Sequence, residues 1–424
     1  MIFVGFEKVK LRITAFYDFK ARYSNRKTAI YYNLNGLTPV TGLSTYNMTD
    51  KLKILHITES FGWSGGAAQA LYLARELRAA GQENIIACPA GGDLGRKAAA
   101  EGFEVVHFRP RRDYDIKTAF ALARLINERK PDVVQAHHPK AHAMGLMAKF
   151  LARHKPVLVV TRRVSHPIIT TFFARLKYQS RLIDGFIAVA DSVRAQLLAY
   201  GLPPERVRTI YSGTDPARFF PRPPDPAIVK ELAPPPGCQV VMLVGNFSAH
   251  KGQHVLLKAA KLLYARGLDF ILVFAGRGTD SAELKALFSM EGLPPEKGRF
   301  LGLRYDVEKL LSAASVSVNA AVKGEALSGS IRESLAMGVP AVASDISGNS
   351  EIVRDGLTGL LFPPGDHAAL ADRLETVLRA PALRARFAEN SVATVREGFT
   401  TAIMGRRTLE YYRELLGKSG GRRR

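Results

Sequence analysis

The sequence predicts an α/β protein made of two Rossmann-like, doubly wound domains that face each other across a cleft. The chain has 424 residues, which is long for a single domain. Short apolar runs alternate with helical stretches along most of it, and this alternation is typical of parallel sheets with crossover helices. A proline-rich stretch at residues 221–237 divides the alternating series in two. Such folds bind ligands outside the carboxyl ends of their strands, so we expect a site in the cleft.

Residues 51–220 are predicted to form the first domain. Helical stretches at Gln69–Ala80 and Thr118–Arg129 are among those that separate its apolar runs. The predicted strands are Ile54–Ile57, Ile85–Cys88, Val105–Phe108, Val133–Ala136, Val157–Val160, Phe186–Val189 and Val207–Ile210.

Residues 238–398 are predicted to form the second domain, after a linker at 221–237. Residues 399–424 are expected to form a helix that crosses back to the first domain and a basic tail. Residues 1–50 fit neither series and are expected to be a poorly ordered extension. The strands predicted for the second domain are Val240–Val244, Phe270–Ala275, Ser315–Val318 and Ala341–Ala343.

The composition indicates a basic globular protein. Lys and Arg number 60 against 38 Asp and Glu, a formal net charge of +22, and 47% of the residues are hydrophobic. This charge favours anionic partners, namely nucleic acid, an anionic membrane or phosphorylated substrates. Nucleic acid is not expected, because the chain lacks the compact aromatic and basic motif of RNA-binding sheets. No apolar run is long enough to predict a transmembrane helix.

The two cysteines, Cys88 and Cys238, fall in different predicted domains. They therefore provide no disulfide framework and favour a reducing, cytoplasmic location.

A glycine pair, Gly65-Gly66, lies between the first strand and the first helix, where it lets a ligand approach the backbone closely. Glycine-rich turns are common in any Rossmann-like unit, so this feature alone is weak. No G-x-G-x-x-G motif is present, which argues against a dinucleotide site. In the second domain a strand ending at Gly245 leads to Lys251 at a helix start. This lysine could reach a diphosphate held between the domains, or it could be an ordinary surface lysine.

Two histidines, His137 and His138, follow the strand Val133–Ala136 in a loop at the predicted cleft. A neutral imidazole there could accept a proton or bind a hydroxyl, although an ordinary loop pair would look the same. No third ligand stands at metal spacing. The Asp113-Tyr114-Asp115 run formally matches an Asp-x-Asp metal motif, but Asp115 precedes a helix and is better explained as its cap. We therefore predict no metal site.

Glu325 and Glu333 form a Glu-x7-Glu pair around the start of a predicted helix. The helix begins after Ser328 and ends at Gly338-Val339-Pro340. Glu325 and the backbone N–H groups after it would lie at the mouth of the cleft, where a helix N-terminus favours anions. Glu333 could accept hydrogen bonds from a vicinal diol such as a ribose. The alternative is that both carboxylates are solvated surface charges.

Basic residues cluster in the first domain. The segment with Arg175, Lys177 and Arg181 has the composition of an interfacial amphipathic helix on an anionic membrane, or equally of a half-buried helix with a basic outer side. The other clusters are Arg109, Arg111 and Arg112, and the pair Arg162 and Arg163.

Several motifs around Glu325 occur in an order typical of one family. Glu-x7-Glu is followed by Gly338-Val339-Pro340, an apolar strand, the Gly348–Glu351 segment and the run DGLTGLLFPPGD. Over most of residues 51–415 the chain resembles the retaining glycosyltransferases of family 4. The resemblance implies a GT-B fold and metal-independent transfer of a sugar from a nucleotide diphosphate sugar to a glycan or glycolipid hydroxyl. It also implies a role in cell-envelope polysaccharide or lipopolysaccharide synthesis.

The resemblance assigns roles to individual residues. Glu325 would hold the sugar hydroxyls, Glu333 the ribose, and His137, with His138 as the alternative, the reacting sugar. The leaving diphosphate would be stabilised by Lys251, Gly65, Gly66, Ser328, Gly329 and Ser330.

The chain departs from the family at one position. The family usually carries Arg or Lys where this chain has Asn246, and Arg277 is a candidate to supply the missing charge. The Ser212-Gly213-Thr214-Asp215 turn is interpreted as structural.

The first domain of the resembled fold holds the acceptor. Its basic residues, Arg162, Arg163, Arg175, Lys177 and Arg181, therefore suggest an anionic or lipid-linked acceptor and peripheral association with the cytoplasmic face of a membrane. Two alternatives remain, a nucleotide-sugar epimerase of the same fold and a basic nucleic-acid-binding protein.

Overall fold

The computed structural model describes residues 51–108, 115–168 and 171–422. Within these residues the first sheet has seven parallel strands in the order β3-β2-β1-β4-β5-β6-β7. The strands are β1 (Lys53–Ile57), β2 (Glu83–Pro89), β3 (Glu104–Phe108), β4 (Val133–Ala136), β5 (Val157–Arg162), β6 (Gly185–Ala188) and β7 (Val207–Thr209).

The second sheet has six parallel strands in the order β10-β9-β8-β11-β12-β13. Both sheets belong to one compact unit that extends to Leu416. The strands are β8 (Gln239–Val244), β9 (Phe270–Ala275), β10 (Gly298–Phe300), β11 (Val316–Asn319), β12 (Ala341–Ser344) and β13 (Gly359–Phe362).

Crossover helices connect the strands, as parallel pairing requires. In the first domain they are α1 (Gly65–Ala79), α2 (Asp93–Ala100), α3 (Ile116–Arg129), α4 (Pro139–Leu151), α5 (Phe172–Tyr178) and α6 (Asp191–Ala199). The following helices are α7 (Pro226–Leu232), α8 (Gln253–Ala265), α9 (Ala282–Met290), α10 (Val307–Ser312), α11 (Gly329–Ala336), α12 (Asn349–Ile352), α13 (His367–Arg379), α14 (Pro381–Gly398) and α15 (Thr401–Arg422).

Apolar central strands form the core of each domain. Every residue of β4 and of β9 is buried, as expected for parallel strands covered on both faces. The strand order reverses between β1 and β4 in the first sheet and between β8 and β11 in the second. Ligands of doubly wound sheets bind at such reversals, beside the carboxyl ends of the strands. The loops after these four strands therefore define where a site is expected.

The C-terminal segment returns to the first domain. Thr214 and Thr400 form an isolated parallel bridge, and the hydroxyl of Tyr412 in α15 donates a hydrogen bond to Gln135 of β4. Gly213 lies against this returning backbone, because a β-carbon at Gly213 would stand 2.5 Å from the α-carbon of Thr401. The turn at residues 212–215 therefore has a structural role, because the returning C-terminal segment packs against it.

The predicted fold class is confirmed, with differences in detail. Asp115 caps α3 by accepting a hydrogen bond from the backbone of Thr118, at 3.2 Å. The region predicted as a linker contains the helix α7, whose N-terminus is capped by Asp225. Strands β10 and β13, which are three and four residues long, were not predicted. The extension at 1–50 and the residues Arg109, Arg111, Arg112 and Asp113 lie outside the described residues.

Candidate active site

A cleft of ≈ 540 Å³ lies between the two domains. It brings together four residues that the sequence analysis selected independently: Gly65, Asn246, Arg277 and Glu333. The other side chains along it are aromatic or basic for the most part, and include Trp63, Tyr72, Lys97, Arg218, Arg304 and Tyr305. An electropositive cleft with aromatic walls suits a ligand that carries both phosphate groups and a flat base.

The glycine turn forms the start of α1. Ser64 caps this helix by accepting a hydrogen bond from the backbone of Ala67. Gly66 is in contact with the ring of His138, and a β-carbon at Gly66 would overlap with His138 Nε2. The other ring nitrogen, Nδ1, lies 2.8 Å from the Thr58 hydroxyl. His138 is therefore held against the turn that is expected to face the donor.

His137, which the resemblance assigns to the reacting sugar, is buried in this structure, and its assignment stays a prediction. Its backbone extends the β4 ladder by donating to the carbonyl of Ile57, and both His137 and His138 line a small cavity with Arg162 and Arg163. The His137 ring is 0% exposed, and its Nε2 lies 3.0 Å from His56 Nδ1. Burial, with a smaller contribution from the nearby charges of His56 and Arg163, holds the pKa of His137 well below its usual value. His138, the alternative, is the histidine at the glycine turn.

Glu325 and Lys251 form an ion pair between the loops that follow β11 and β8. Glu325 is almost fully buried, whereas the Lys251 side chain is 37% exposed. The two loops are pressed together at Gly252, which has a φ of 70° and whose β-carbon would overlap with the carbonyl oxygen of Ala320. Glycine is therefore required next to Lys251 for this lysine to reach Glu325.

Ser328 begins α11, as the sequence analysis predicted. Its hydroxyl accepts a hydrogen bond from the side chain of Asn319 at 2.9 Å and lies 3.2 Å from the hydroxyl of Ser330. The helix ends before Gly338, which has a φ of 72°. The backbone N–H groups of Gly329 and Ser330 thus lie in the first turn, where a helix attracts anions.

Glu333 projects from α11 into the cleft. Burial raises the pKa of its carboxyl group to about 7, an effect that the charges of Arg332 and Arg218 oppose. A carboxyl group in this range changes charge near neutral pH, and such groups are concentrated at functional sites.

Asn246 and Arg277 lie together on the second-domain side of the cleft. The side-chain oxygen of Asn246 accepts a hydrogen bond from the backbone of Arg277, at 3.1 Å. Arg277 Nη2 lies 3.6 Å from the position that a β-carbon would take on Gly62. The guanidinium group therefore reaches the first-domain loop across the cleft, where it can approach a ligand bound between the domains.

Comparison with known proteins gives the family. The model of Glycosyltransferase Family 4 matches residues 63–218, and that of Glycosyl transferases group 1 matches residues 225–393. Phosphatidyl-myo-inositol mannosyltransferase of Mycobacterium tuberculosis (strain H37Rv) is 30% identical over 294 residues, which cover 68% of this chain and 74% of that protein. The chain belongs to the family 4 glycosyltransferases. It is a glycosyltransferase, and the resemblance noted in the sequence is confirmed.

Two further matches are a sequence relative and a solved structure. Lipopolysaccharide core biosynthesis glycosyltransferase LpsE of Rhizobium meliloti is 26% identical and matches 83% of this chain and 98% of its own length. The crystal structure of Alr3699/HepE of Anabaena in complex with UDP-glucose superimposes with a TM-score of 0.73. It is 22% identical, and the match covers 86% of this chain and all of that one. The fold is accordingly GT-B.

The basic residues of the first domain do not share one surface. Arg162 is buried and donates hydrogen bonds to the Tyr178 hydroxyl and to the carbonyl of His166, so it is not a surface charge. Arg163 donates to the Ser212 hydroxyl, at 3.1 Å. Lys177 donates to the carbonyl of Pro139, which holds it against the fold. Arg162 is therefore unavailable to a membrane surface in this structure, and the prediction that Arg162 and Arg163 contact an acceptor or a membrane stays a prediction.

The predicted amphipathic helix is shorter than expected. It is α5, seven residues long and capped by Thr171, and Arg181 lies beyond its end. Its outer side is more apolar than expected, because Phe172, Phe173 and Leu176 are 74%, 66% and 61% exposed. Arg175 and Arg181 are exposed beside them.

Several residues of the glycosyltransferase site were not selected from the sequence. Tyr72 lies two helical turns after Gly65, so helical spacing from the glycine turn could have indicated that it faces the cleft. Arg218 follows the turn at 212–215 and has no local pattern that marks it. Arg332 precedes Glu333 and is buried on α11 beside Ile331 and Leu335. A charged residue at a buried helical position is unusual, so this position could have marked Arg332 in the sequence.

The described residues contain neither a metal-ligand cluster nor a membrane-spanning helix. Among residues 51–108, 115–168 and 171–422, no three His, Cys, Asp or Glu side chains are arranged so that they could hold a metal ion. In the same residues, no helix is both long and apolar enough to span a bilayer.

Proposed function

We propose that this glycosyltransferase transfers a sugar from a nucleotide diphosphate sugar to a hydroxyl group of a glycan or glycolipid, with retention of anomeric configuration and without a metal ion. The observation that carries the proposal is the cleft in which the glycine turn, Asn246, Arg277 and Glu333 of two domains converge. Such a cleft can enclose the nucleotide, place the sugar between the domains and exclude water, which is a competing acceptor.

Each part of the site has a proposed task. Glu333 accepts hydrogen bonds from the ribose hydroxyls, and Glu325 with the backbone after it binds the hydroxyls of the transferred sugar. Lys251 pairs with Glu325 in the resting protein and is proposed to lie near the departing diphosphate. His138, held by Thr58 against the glycine turn, contacts the sugar from the first domain. The N-terminus of α11 adds fixed positive partial charge where negative charge develops.

We propose front-face chemistry for the transfer step. The bond between the anomeric carbon and the diphosphate oxygen breaks while the acceptor hydroxyl attacks from the same face. The oxygen of the leaving phosphate accepts the hydroxyl proton, so the nucleotide leaves as a diphosphate and the new glycosidic bond keeps the donor configuration.

The acceptor is proposed to belong to the cell envelope. The relatives include a phosphatidyl-myo-inositol mannosyltransferase, a lipopolysaccharide core glycosyltransferase and a putative colanic acid biosynthesis glycosyltransferase. These names describe envelope glycolipids and polysaccharides, and the basic charge of this chain suits acceptors with phosphate or carboxylate groups.

A two-step experiment tests the activity. Nucleotide sugars are first screened for an increase in thermal midpoint, since a ligand of the folded state stabilises it. The stabilising donor is then incubated with candidate acceptors, and the product anomer is determined by NMR. An inverted anomer contradicts the retaining mechanism. Loss of activity with EDTA and its return with Mg²⁺ or Mn²⁺ contradicts metal independence. Release of nucleotide only when an acceptor is present excludes the epimerase alternative.

We further propose that the enzyme docks on an anionic membrane through α5, at the cytoplasmic face. Three exposed apolar side chains stand on a helix that also presents Arg175, with Arg181 just beyond it. An apolar face can enter the interface between headgroups and acyl chains, while the arginines attract anionic headgroups. The occupant that fits this combination is a lipid surface, because a soluble anionic acceptor would not need the apolar side chains.

Vesicle co-sedimentation tests the docking site. Wild-type protein should bind vesicles of phosphatidylglycerol and phosphatidylcholine but not of phosphatidylcholine alone. Changing Phe172, Phe173 and Leu176 to Ser should weaken binding at both low and high salt. Changing Arg175 and Arg181 to Glu should weaken vesicle binding mainly at low salt, because salt screens the attraction between the arginines and the anionic headgroups. Donor binding should be unchanged in both variants. The proposal is wrong if wild-type protein ignores anionic vesicles at low salt.

A further inference from the structure

Two arginines from different domains have buried guanidinium nitrogens that lack a hydrogen-bond partner. Arg332, on α11 of the second domain, is only 4% exposed, and its Nε and Nη1 atoms are buried without a hydrogen-bond partner. Arg163 follows β5 of the first domain, and its Nε is likewise buried without a partner. Within the described residues neither guanidinium group makes an ion pair. Unpaired buried charges are costly, so they call for a function.

The charge of Arg332 acts on Arg163. Burial lowers the pKa of Arg163 to about 10, and the positive charge of Arg332 is the next contribution. Burial also lowers the pKa of Arg332 to about 10, against which the charges of the neighbouring Glu333 and of Tyr72 act. Glu333 does not cancel the excess charge, because its own carboxyl group titrates near neutral pH.

The position of Arg332 on its helix points to the ligand. Helical side chains lean towards the N-terminus, and Arg332 Nη2 lies 3.6 Å from the β-carbon position of Gly329, the first residue of α11. The helix has no acidic residue in its first turn. A cation at the positive end of a helix dipole is unfavourable unless an anion binds both.

The two cations that the sequence predicted for the diphosphate, Lys251 and Arg277, lie elsewhere. Lys251 is already paired with Glu325, and Asn246 carries no charge. Arg277 lies towards Gly62, at the first-domain loop. Arginine also offers a planar fork of donors that matches two phosphate oxygens, which an ammonium group does not.

We propose that Arg332, with Arg163 on the opposite domain, binds phosphate oxygens of the substrate at the first turn of α11. This inference rests on the proposed function and specifies it: the buried arginine pair, rather than Lys251 alone, neutralises the phosphate charge. The phosphate belongs to the donor diphosphate or to a phosphorylated acceptor, and both sources present the same oxygens to the pair. Binding from two domains would also favour the closed cleft.

Calorimetry on matched variants tests the pair. Arg332→Met keeps the length of the side chain and removes its charge, and Arg332→Lys keeps the charge without the fork. Arg373→Met removes an exposed arginine of the same domain and serves as control. The probes are inorganic pyrophosphate, UDP and GDP. Wild type and the control should bind pyrophosphate and at least one nucleotide, and Arg332→Met should lose tenfold or more in affinity for both. Arg332→Lys should recover part of that loss.

Stability provides a second readout. Removing an unpaired buried cation should leave the thermal midpoint of the ligand-free protein unchanged or raised, and the stabilisation by pyrophosphate should shrink. Should Arg332→Met fold poorly, Arg163→Met tests the same pair from the first domain and should show the same loss of pyrophosphate affinity.

The outcomes distinguish a donor phosphate from an acceptor phosphate. They also distinguish failure of the arginine-pair inference from failure of the proposed function. Loss of nucleotide diphosphate affinity assigns the pair to the donor. Unchanged nucleotide affinity with weaker pyrophosphate binding and a raised KM for acceptor assigns it to the acceptor. Wild-type binding of pyrophosphate without binding or turnover of any nucleotide sugar supports the pair while refuting the proposed donor. If pyrophosphate, nucleotide and acceptor dependence all stay within twofold of wild type in Arg332→Met, the inference is overturned.

Discussion

Among individual residues, Glu325 is held in place by an ion pair with Lys251 in the ligand-free protein. The residue is nearly buried, and burying a carboxylate without a partner is costly. Lys251 supplies that partner from the neighbouring loop, and Gly252 allows the two loops to approach. In the proposed function, the donor sugar therefore meets a hydrogen-bond acceptor that is already oriented.

Replacing Glu325 with Ala should reduce transfer to less than about a tenth of the wild-type turnover, a loss above roughly 1.4 kcal/mol. The thermal midpoint should change little, because Lys251 is more than a third exposed and pairs of this kind contribute only about 0–1 kcal/mol. Initial rates and thermal melts check both expectations. Glu397→Ala, which removes an exposed carboxylate of the same domain, is the control. Retention of more than a tenth of the turnover would remove Glu325 from the donor site.

Glu333 should make nucleotide affinity depend on pH. Burial raises the pKa of its carboxyl group to about 7, so the group is neutral below that pH and ionised above it. Only the ionised form accepts hydrogen bonds from both ribose hydroxyls, and bonds to charged groups contribute about 1.5–3 kcal/mol each. Affinity should therefore rise between pH 6 and pH 8, by about tenfold.

Isothermal titration of Glu333→Gln provides the comparison for this pH effect. The amide does not titrate, so the variant should lose the part of the pH dependence that exceeds the titration of the nucleotide itself. Identical pH profiles in wild type and variant would show that Glu333 does not bind the ribose as its ionised form.

Among the secondary-structure elements, the position of α15 on the first domain depends on a few close contacts with the backbone of Gly213. The return of α15 to the first domain passes over Gly213, whose backbone is also held by both side-chain groups of Gln69, at 2.7 and 2.9 Å. The glycine turn of α1 and the turn at residues 212–215 are thereby fixed to the same helix. This arrangement connects the C-terminal segment to the element that faces the donor.

Replacing Gly213 with Ala should destabilise the protein, because its β-carbon would meet backbone atoms of Thr401 and Thr400 that cannot move separately. Overpacking of this kind costs about 1–3 kcal/mol. Gly398→Ala is a matched control, since a β-carbon there meets nothing within 4 Å. Denaturant titration should show a lower midpoint for Gly213→Ala only. Equal midpoints for the two variants would mean that the return segment adapts without cost.

At the scale of the whole molecule, polar contacts between the two domains hold the cleft in the form seen in this structure. Glu351 of the second domain accepts hydrogen bonds from the backbone of Asp191 and Ser192, at 2.6 and 2.8 Å, at the N-terminus of α6 in the first. Arg218 donates to Glu308 and to the carbonyl of Tyr305 across the same boundary. These contacts are exposed or partly exposed, so they can break and re-form when the cleft opens.

Glu351→Ala should shift the protein towards an open cleft. The change leaves two helix N–H groups without their charged acceptor, and a helix N-terminus interacts favourably with a carboxylate. Small-angle scattering should report a larger radius of gyration, and donor affinity should fall by about tenfold because the closed form is less populated. Glu397→Ala again controls for loss of charge. An unchanged radius with unchanged affinity would show that Glu351 does not hold the domains together.

The sequence by itself determined the fold class and much of the composition of the site. Alternating apolar runs indicated two parallel sheets, since hydrophobic period and length are local properties of the chain. The glycine turn, Asn246 and Arg277 could be selected because each lies close to the end of a recognisable strand, and Glu333 because of its spacing from Glu325. Ser328 was predicted as a helix start through its capping pattern.

Only the tertiary structure decided which side chains meet. It placed His138 rather than His137 at the glycine turn, because alternation along an extended backbone depends on the register with β1. It buried Arg162 and left Phe172 exposed, since burial is set by what packs against a segment and not by its composition. It placed Arg332 where its charge acts on Arg163, 169 positions away in the other domain. Contacts between such distant residues are consequences of how the two sheets pack, and no local pattern contains them.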